Sequence, residues 1–288
     1  MKINIRALCD IGIERTNNED AVAVCQDLTN PMNCSLHTGG YVGMSRFGSL
    51  AVVADGMGGA NAGEIASKLA IESIVESFRE ANLSQVLTSE SAVCAFLREC
   101  IAKSNQTIMN YVIESPDSIG LGTTIVLLWL VKDKAYVTWC GDSRCYCFNP
   151  DSGLKLLTKD HSLVQEMVDR GEITQEQSFR HPDNNIITRC LGDVDADPDP
   201  EFLIQSITDG DIFLLCSDGL CGYCRDREIE KIMYRYFDDI DQCQSALLNL
   251  SLKAGGQDNI SISLCATLPD CLSTPKVSYK TKIKRLLS

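Results

Sequence analysis

Histidine is scarce in this chain of 288 residues: His37, His161 and His181 are the only three. None stands at zinc-like spacing from another, which removes a histidine-built zinc site. Basic charge is also short, with 26 Lys and Arg against 39 Asp and Glu and a net charge of −13. That balance excludes the electrostatic footprint expected for binding nucleic acid or an anionic membrane surface. Long apolar runs are missing as well. The longest, around "TTIVLLWLV", is far below the roughly 18 residues that span a bilayer. The amino terminus, "MKINIRALCD", alternates polar and apolar residues and reads as a strand and not a signal peptide. The expectation is a cytoplasmic protein without membrane insertion. Neither an internal repeat nor a low-complexity block is visible. With 44% hydrophobic and 23% charged residues, the chain has the composition of a folded globular protein.

Cysteine is abundant by contrast, at 15 residues. The odd count in a chain without a secretory signal points to reduced thiols more than to a disulfide framework. "CSDGLCGYC" sets Cys216, Cys221 and Cys224 at a spacing that partly matches plant-type iron–sulfur proteins, and "CGDSRCYC" carries Cys140, Cys145 and Cys147. Most cysteines sit singly inside apolar patterns, where a free thiol behaves as a small hydrophobe. Packing is the favoured reading, with an iron–sulfur or zinc module the alternative.

Strand-like runs occur at "NIRALCD", "SLAVVAD", "GTTIVLLWLV", "KAYVTWC", "RCYCFNP", "DIFLLCSD" and "NISISLCATL". Two long helical patterns, about Ala62 to Glu80 and about Ser89 to Glu114, fall between the second and third. Shorter ones follow at "SLVQEMVDRG", "DREIEKIMYRYF" and "QCQSALLNLSLKAG". Batches of strands joined by short turns, with helices grouped between them, favour an α+β domain on antiparallel sheets. "DLTNPMNCSLHTGGYVGMSRFG" reads as a hairpin connection or surface excursion. We divide the chain into a catalytic domain over 1–268 and a basic tail over 269–288, a solvated segment by default and a docking segment for an acidic partner as the alternative.

The chemistry is carried by carboxylates at strand ends. In "AVVADGMGG" an apolar run stops on Asp55 before turning on glycines; "FLLCSDGL" repeats this at Asp218. "GGQDNIS" puts Asp258 where the last strand begins, and "RTNNEDAV" adds Glu19 and Asp20. A carboxylate at the end of a buried strand is costly unless paired, hydrogen-bonded or bound to metal. Gathered without cations, these would repel one another; hard divalent ions such as Mg²⁺ or Mn²⁺, which take oxygen ligands, would offset the charge. A single Asp-Gly is by itself a turn, and it is the repetition that favours metal. Arg15 is either a surface arginine or a guanidinium brought beside the metals to hold a phosphate bidentately. "GMGG" lacks the Lys-Ser/Thr of a P-loop and reads as a tight turn. "DVDADPDPEF" departs from a calcium loop at Pro198 and Ile204 and reads as a solvated acidic loop.

"DIGIERTNNEDAV", "VVADGMGGANAGEIAS", "GLGTTIVLL", "GDSRCY", "LTKDHSLVQEMVDRGEIT", "IITRCLG", "LLCSDGL" and "GGQDNIS" resemble, in order and spacing, the motifs of the metal-dependent protein Ser/Thr phosphatases of the PPM or type 2C family, in its bacterial form. The resemblance runs from about Asp10 to Ala266. It implies a sandwich of two antiparallel β-sheets flanked by helix pairs, with two Mn²⁺ or Mg²⁺ ions at one end. Carried over by position, Asp55 bridges both ions with the Gly56 carbonyl as a further ligand. Asp20, Asp218 and Asp258 are the remaining metal-binding aspartates, Glu19 acts through water, and Arg15 binds the phosphate. A water or hydroxide bridging the metals attacks phosphoserine or phosphothreonine, so no protein nucleophile is required. His161 to Thr174, including Ser162 and Gly171, resembles the flap beside the active site. Met57 stands where some eukaryotic members carry a histidine proposed as general acid, so the leaving group takes its proton from water or another group. For a third ion the nearest candidate is Asp117, with Asp218 able to contribute; Asp142 and Arg144 of "GDSR" are assigned to turn structure. The implied partners are phosphorylated proteins, including a Ser/Thr kinase and its substrates, acted on by a monomer. The alternative within the same fold is a catalytically weak regulator that binds phosphoproteins.

Overall fold

The computed structural model describes residues 1–30, 40–58, 62–115, 118 and 120–270; the 271–288 part of the expected tail lies outside them. Two sheets carry the architecture, and every strand pairing in them is antiparallel. The strands are β1 (Lys2–Asp10), β2 (Asp20–Cys25), β3 (Val42–Gly43), β4 (Ser49–Met57), β5 (Gly122–Thr123), β6 (Ile125–Val131), β7 (Lys134–Cys140), β8 (Arg144–Asn149), β9 (Gly153–Leu156), β10 (Glu201–Ser206), β11 (Ile212–Cys216) and β12 (Ile260–Leu268). The helices are α1 (Ala62–Glu80), α2 (Leu83–Val86), α3 (Glu90–Glu114), α4 (Leu163–Asp169), α5 (Gln175–Ser178), α6 (Asp218–Cys221), α7 (Asp226–Tyr236) and α8 (Ile240–Lys253). One sheet runs β3-β1-β12-β11-β8-β9; the other runs β10-β7-β6-β4-β2, with β5 paired to β4.

Four layers explain why the central strands read as unbroken apolar runs. Val126, Leu128 and Leu130 of β6 join Ala51 and Val53 of β4 and Phe213 and Leu215 of β11 between the sheets. The alternate residues, Ile125, Leu127, Trp129 and Val131, face Ala70, Ile74 and Phe78 of α1 and Leu97, Ile101 and Ile108 of α3. On the far side Ile212 and Leu214 of β11 and Ile262 and Leu264 of β12 pack on Ile229 and Met233 of α7 and Cys243 and Leu247 of α8. With period-two alternation, a strand covered on both faces needs apolar residues at every position. The sheets are antiparallel, yet each inner strand has no wet face.

The expected α+β sandwich with flanking helix pairs is observed, with differences in detail. "GTTIVLLWLV" is divided at Thr124, whose hydroxyl accepts from the Asp55 amide at 3.1 Å and pairs with Ser143 Oγ at 2.8 Å. β10 begins inside the stretch read as an acidic loop and covers the sheet edge at β7. α5 and α6 are single turns too short for helical periodicity to register. Part of the segment read as a hairpin connection, residues 31–39, lies outside the described residues, but β3 within it crosses to the other sheet and pairs with β1. Among the described residues twelve cysteines are free, while Cys25 is disulfide-bonded, an exception to the expectation of reduced thiols.

Candidate metal centre

Strand register brings the first two carboxylates together. Asp20 opens β2 directly opposite Asp55 of β4. The Asp55 carbonyl accepts from the Thr124 amide at 2.8 Å and the Thr123 hydroxyl at 2.9 Å, which fixes the backbone at the sheet end. Gly56 follows because nothing larger fits: a Cβ there would lie 2.1 Å from the Gly63 carbonyl oxygen and 2.5 Å from that of Glu19. The close approach lets the Gly56 amide donate to the Glu19 carbonyl at 3.1 Å.

The other sheet supplies Asp218, the first residue of α6 after β11, and Asp258, just before β12. Ser217 ties the two sheets together: its hydroxyl donates to Asp20 Oδ2 at 2.7 Å and accepts from the Ser261 amide at 3.0 Å. Asn259 holds the loop that carries Arg15 and Glu19. Its side chain accepts from the Glu19 amide at 2.8 Å and donates to the carbonyls of Ile11 and Asn17 at 3.0 and 2.9 Å. Arg15 Nη2 lies 2.9 Å from Asp258 Oδ2.

The electrostatics show how close these groups stand. Burial, then Asp218 and Asp258, push the Asp20 carboxyl up to about 7, against the hydrogen bond from Ser217. Asp55 is raised well above the usual range by burial and by Asp20, Asp218, Asp142 and Asp258. Burial and Asp258 raise Asp218 to about 6. Glu19 is raised mainly by burial, with Arg15 opposing. Like charges and desolvation together make this pocket hostile to its own ionised side chains.

Among the described residues, no group of three or more His, Cys, Asp and Glu side chains is drawn tightly enough to hold an ion as it stands. The thiols of the Cys216, Cys221 and Cys224 motif are core residues packed under α7 and α8, which bears out the packing reading of that motif. The carboxylates differ from them. Asp20 Oδ1 and Asp218 Oδ1 are buried without a hydrogen-bond partner, and unpaired buried carboxylate oxygens are what a hard divalent ion satisfies. The donor set of Asp20, Asp55, Asp218 and Asp258 is therefore of the all-oxygen kind that suits Mn²⁺ or Mg²⁺.

Of the remaining expectations, Asp117 lies outside the described residues. Asp142 lies in a bend, as read from the sequence, and is buried beside the site as well: its Oδ1 has no partner, and after burial Asp218 is the largest cause holding its carboxyl well above the usual range. The signal for it was the same Asp-after-strand pattern, masked by the polar turn "GDSR". Arg144 is structural as expected, donating to both carboxylate oxygens of Asp160 at 2.8 and 2.6 Å. His161 is buried, with its Nδ1 accepting from the Gly141 amide at 3.1 Å; Nε2 then carries the proton, 3.3 Å from Glu201 Oε1. Ser162 caps α4, and Thr174 forms a capping box with Gln177 on α5. Gly171 turns the chain after α4 at φ +72°. The excursion does not end at Thr174, because its neck closes through a bridge between Ser162 and Ile187.

A sequence profile described as Protein phosphatase 2C matches residues 18–254. The chain is 34% identical over 215 residues to the serine/threonine phosphatase stp of Listeria welshimeri, covering 75% of this chain and 83% of that protein. It is 30% identical over 262 residues to the protein phosphatase PhpP of Streptococcus pneumoniae, covering 91% and 96%. Its structure is similar to the crystal structure of the catalytic domain of the serine threonine protein phosphatase PstP in complex with 2 manganese ions. There the TM-score is 0.73 at 28% identity, over 93% of this chain and 99% of that one. The chain belongs to the protein phosphatase 2C family.

Proposed function

We propose, from that membership and the geometry of the carboxylate end, that Asp20, Asp55, Asp218 and Asp258, with the Gly56 carbonyl and Glu19 acting through water, hold the metal ions of a protein Ser/Thr phosphatase. The protein is a metal-dependent enzyme that hydrolyses phosphoserine and phosphothreonine with Mn²⁺ or Mg²⁺. The observation that carries the site assignment is the pair of buried, partnerless oxygens on Asp20 and Asp218, in a pocket where the carboxylates raise one another's pKa.

Divalent ions bound there supply Lewis acidity, neutralising phosphoryl oxygens and lowering the pKa of water from 15.7 toward about 7. The protein does the positioning. Asp55 and Asp20, on adjacent strands, set the spacing of the site; the Thr124 hydroxyl fixes the Asp55 backbone amide, and Ser217 holds the Asp20 carboxylate. Arg15 swings from Asp258 to the phosphate, where its planar fork matches two phosphoryl oxygens. The oxygen of water forms the new bond to phosphorus as the ester bond to the Ser or Thr oxygen breaks. That leaving oxygen takes its proton from water, since Met57 after the Asp-Gly offers none. Asp142 is poised to add a carboxylate to a further ion.

We also propose that the substrates include a Ser/Thr kinase and its targets. The enzyme acts as a monomer, since every side chain assigned to the site comes from one chain. We place it in the cytoplasm on the twelve free thiols among the described residues, since such thiols persist in a reducing compartment. No helix among the described residues is long and apolar enough to cross a membrane.

The test is hydrolysis of p-nitrophenyl phosphate and a phosphothreonine peptide with Mn²⁺, with EDTA, and in Asp218→Asn. Mn²⁺-dependent turnover abolished by both perturbations is expected; turnover that survives EDTA would defeat the mechanism.

A further inference from the structure

The flap is a lightly anchored excursion. Its neck is closed by the Leu163 amide on the Ile186 carbonyl at 2.9 Å and the Thr188 amide on the His161 carbonyl at 2.8 Å. Beyond the neck, α4 and α5 pack chiefly on each other; of their residues only Val164 and Ser178 are buried. The polar contacts inside it are local, Arg170 pairing with Glu166 and Glu172, and His181 Nδ1 accepting from the Asp183 amide at 3.2 Å. Lys159 Nζ, at 2.6 Å from Asp169 Oδ2, joins it only to the chain just before the neck.

One side chain from far along the sequence grips its tip. The Arg225 guanidinium pairs with Glu176 of α5 and lies 4.7 Å over the ring of Phe179, the residue that caps the same helix. One planar cation therefore holds both ends of α5. The Arg225 backbone is itself fixed as the N-cap of α7: its amide donates to Glu228 Oε2 at 3.0 Å and its carbonyl accepts from the Glu228 amide at 2.8 Å. The segment before it is short and anchored, with the Gly222 amide on the Asp218 carbonyl at 2.6 Å and the Cys224 amide on the Leu220 carbonyl at 2.9 Å. Arg225 thus couples the flap to the piece of chain that begins with Asp218.

We propose that Arg225 is a specificity-determining positioning residue, a latch that fixes the flap tip against the Asp218 segment and so sets the surface a phosphorylated polypeptide meets beside the site. The proposal rests on reading the site as a phosphatase. A small ester carries no chain beyond its phosphate and aryl group, whereas a polypeptide extends past its phosphorylated residue on both sides. An exposed ion pair and an exposed cation–π contact are each weak, but on a segment with few other anchors they decide its resting position. Lysine keeps the charge and loses the planar stacking face.

The test uses the full chain with Mn²⁺ and compares wild type, Arg225→Ala and Arg225→Lys by hydrogen exchange over residues 163–186 and by kinetics on a phosphothreonine peptide and p-nitrophenyl phosphate. In Arg225→Ala, exchange over the flap quickens by about three- to tenfold. The peptide kcat/KM moves by at least about threefold through KM, while small-ester turnover stays within about twofold; Arg225→Lys falls between. Unchanged flap exchange overturns the proposal, as does an equal loss on both substrates. Wild-type protein inert toward both esters would overturn the phosphatase reading and the specificity role with it. That failure is told apart from a failed latch, because flap exchange would still quicken in Arg225→Ala.

Discussion

Replacing Asp218 with Asn should stabilise the protein in EDTA while abolishing its function. Asp218 is raised from its ordinary 3.8 to about 6 by burial and by Asp258, so its ionised form is disfavoured in the folded state. A raised carboxyl contributes its full stability below pH 3.8 and loses it as pH climbs through about 6. The difference corresponds to at most about 3 kcal/mol at pH 8, and partial exposure of the side chain reduces the expected gain to about 1–2 kcal/mol. For a chain of this size that is a rise in Tm of about 2–3 °C. Asn is nearly isosteric and carries no charge, so the gain should be full at pH 8, fall to about half at pH 5 and vanish only below the ordinary pKa of 3.8. Thermal denaturation in EDTA at both pH values measures it directly. Adding Mn²⁺ should reverse the order, because an ion at 100 times its Kd stabilises wild type by about 2.7 kcal/mol and Asp218→Asn has lost a ligand. If Asp218→Asn melted lower than wild type in EDTA at pH 8, or gained as much from Mn²⁺, the repulsion argument would be wrong.

Arg15→Ala should lower kcat/KM on a phosphothreonine peptide by about 10- to 100-fold, the worth of charge-assisted hydrogen bonds to a phosphate; a steady-state comparison with wild type decides. Gly56→Ala must move backbone, since its Cβ would meet two carbonyl oxygens at 2.1 and 2.5 Å. A loss of about 1–3 kcal/mol by urea denaturation is expected, together with weaker Mn²⁺ binding. Asp160→Asn removes the bidentate carboxylate of Arg144, which is only 16% exposed in its side chain, and leaves Asp226 at 3.5 Å as its remaining anionic partner. Denaturant unfolding should show a loss of about 2–4 kcal/mol.

Much of this was legible in the sequence because each sheet is covered on both faces. β4, β6, β11 and β12 announce themselves as apolar runs, and Asp55 and Asp218 stand out because a charge ends such a run. Asp20 and Asp258 could be read from the family's motifs; that Asp20 faces Asp55 depends on strand register, which only the fold shows. Ser217 and Asn259 were illegible as tethers because their work is a hydrogen bond to residues roughly 200 or more positions away. The burial of Asp142 beside Asp218 was hidden because its turn residues explain it locally. β10 was hidden by the acids before it, and the latch on the flap by the plain surface look of Arg225.

The most direct test is a titration of metal-stripped protein with Mn²⁺, followed by electron paramagnetic resonance, in wild type and Asp55→Asn. The account predicts at least two bound ions per chain in wild type and loss of that binding in the variant, with peptide turnover appearing only as the sites fill. A wild-type protein that bound no Mn²⁺, or an Asp55→Asn variant that bound as much as wild type, would contradict it.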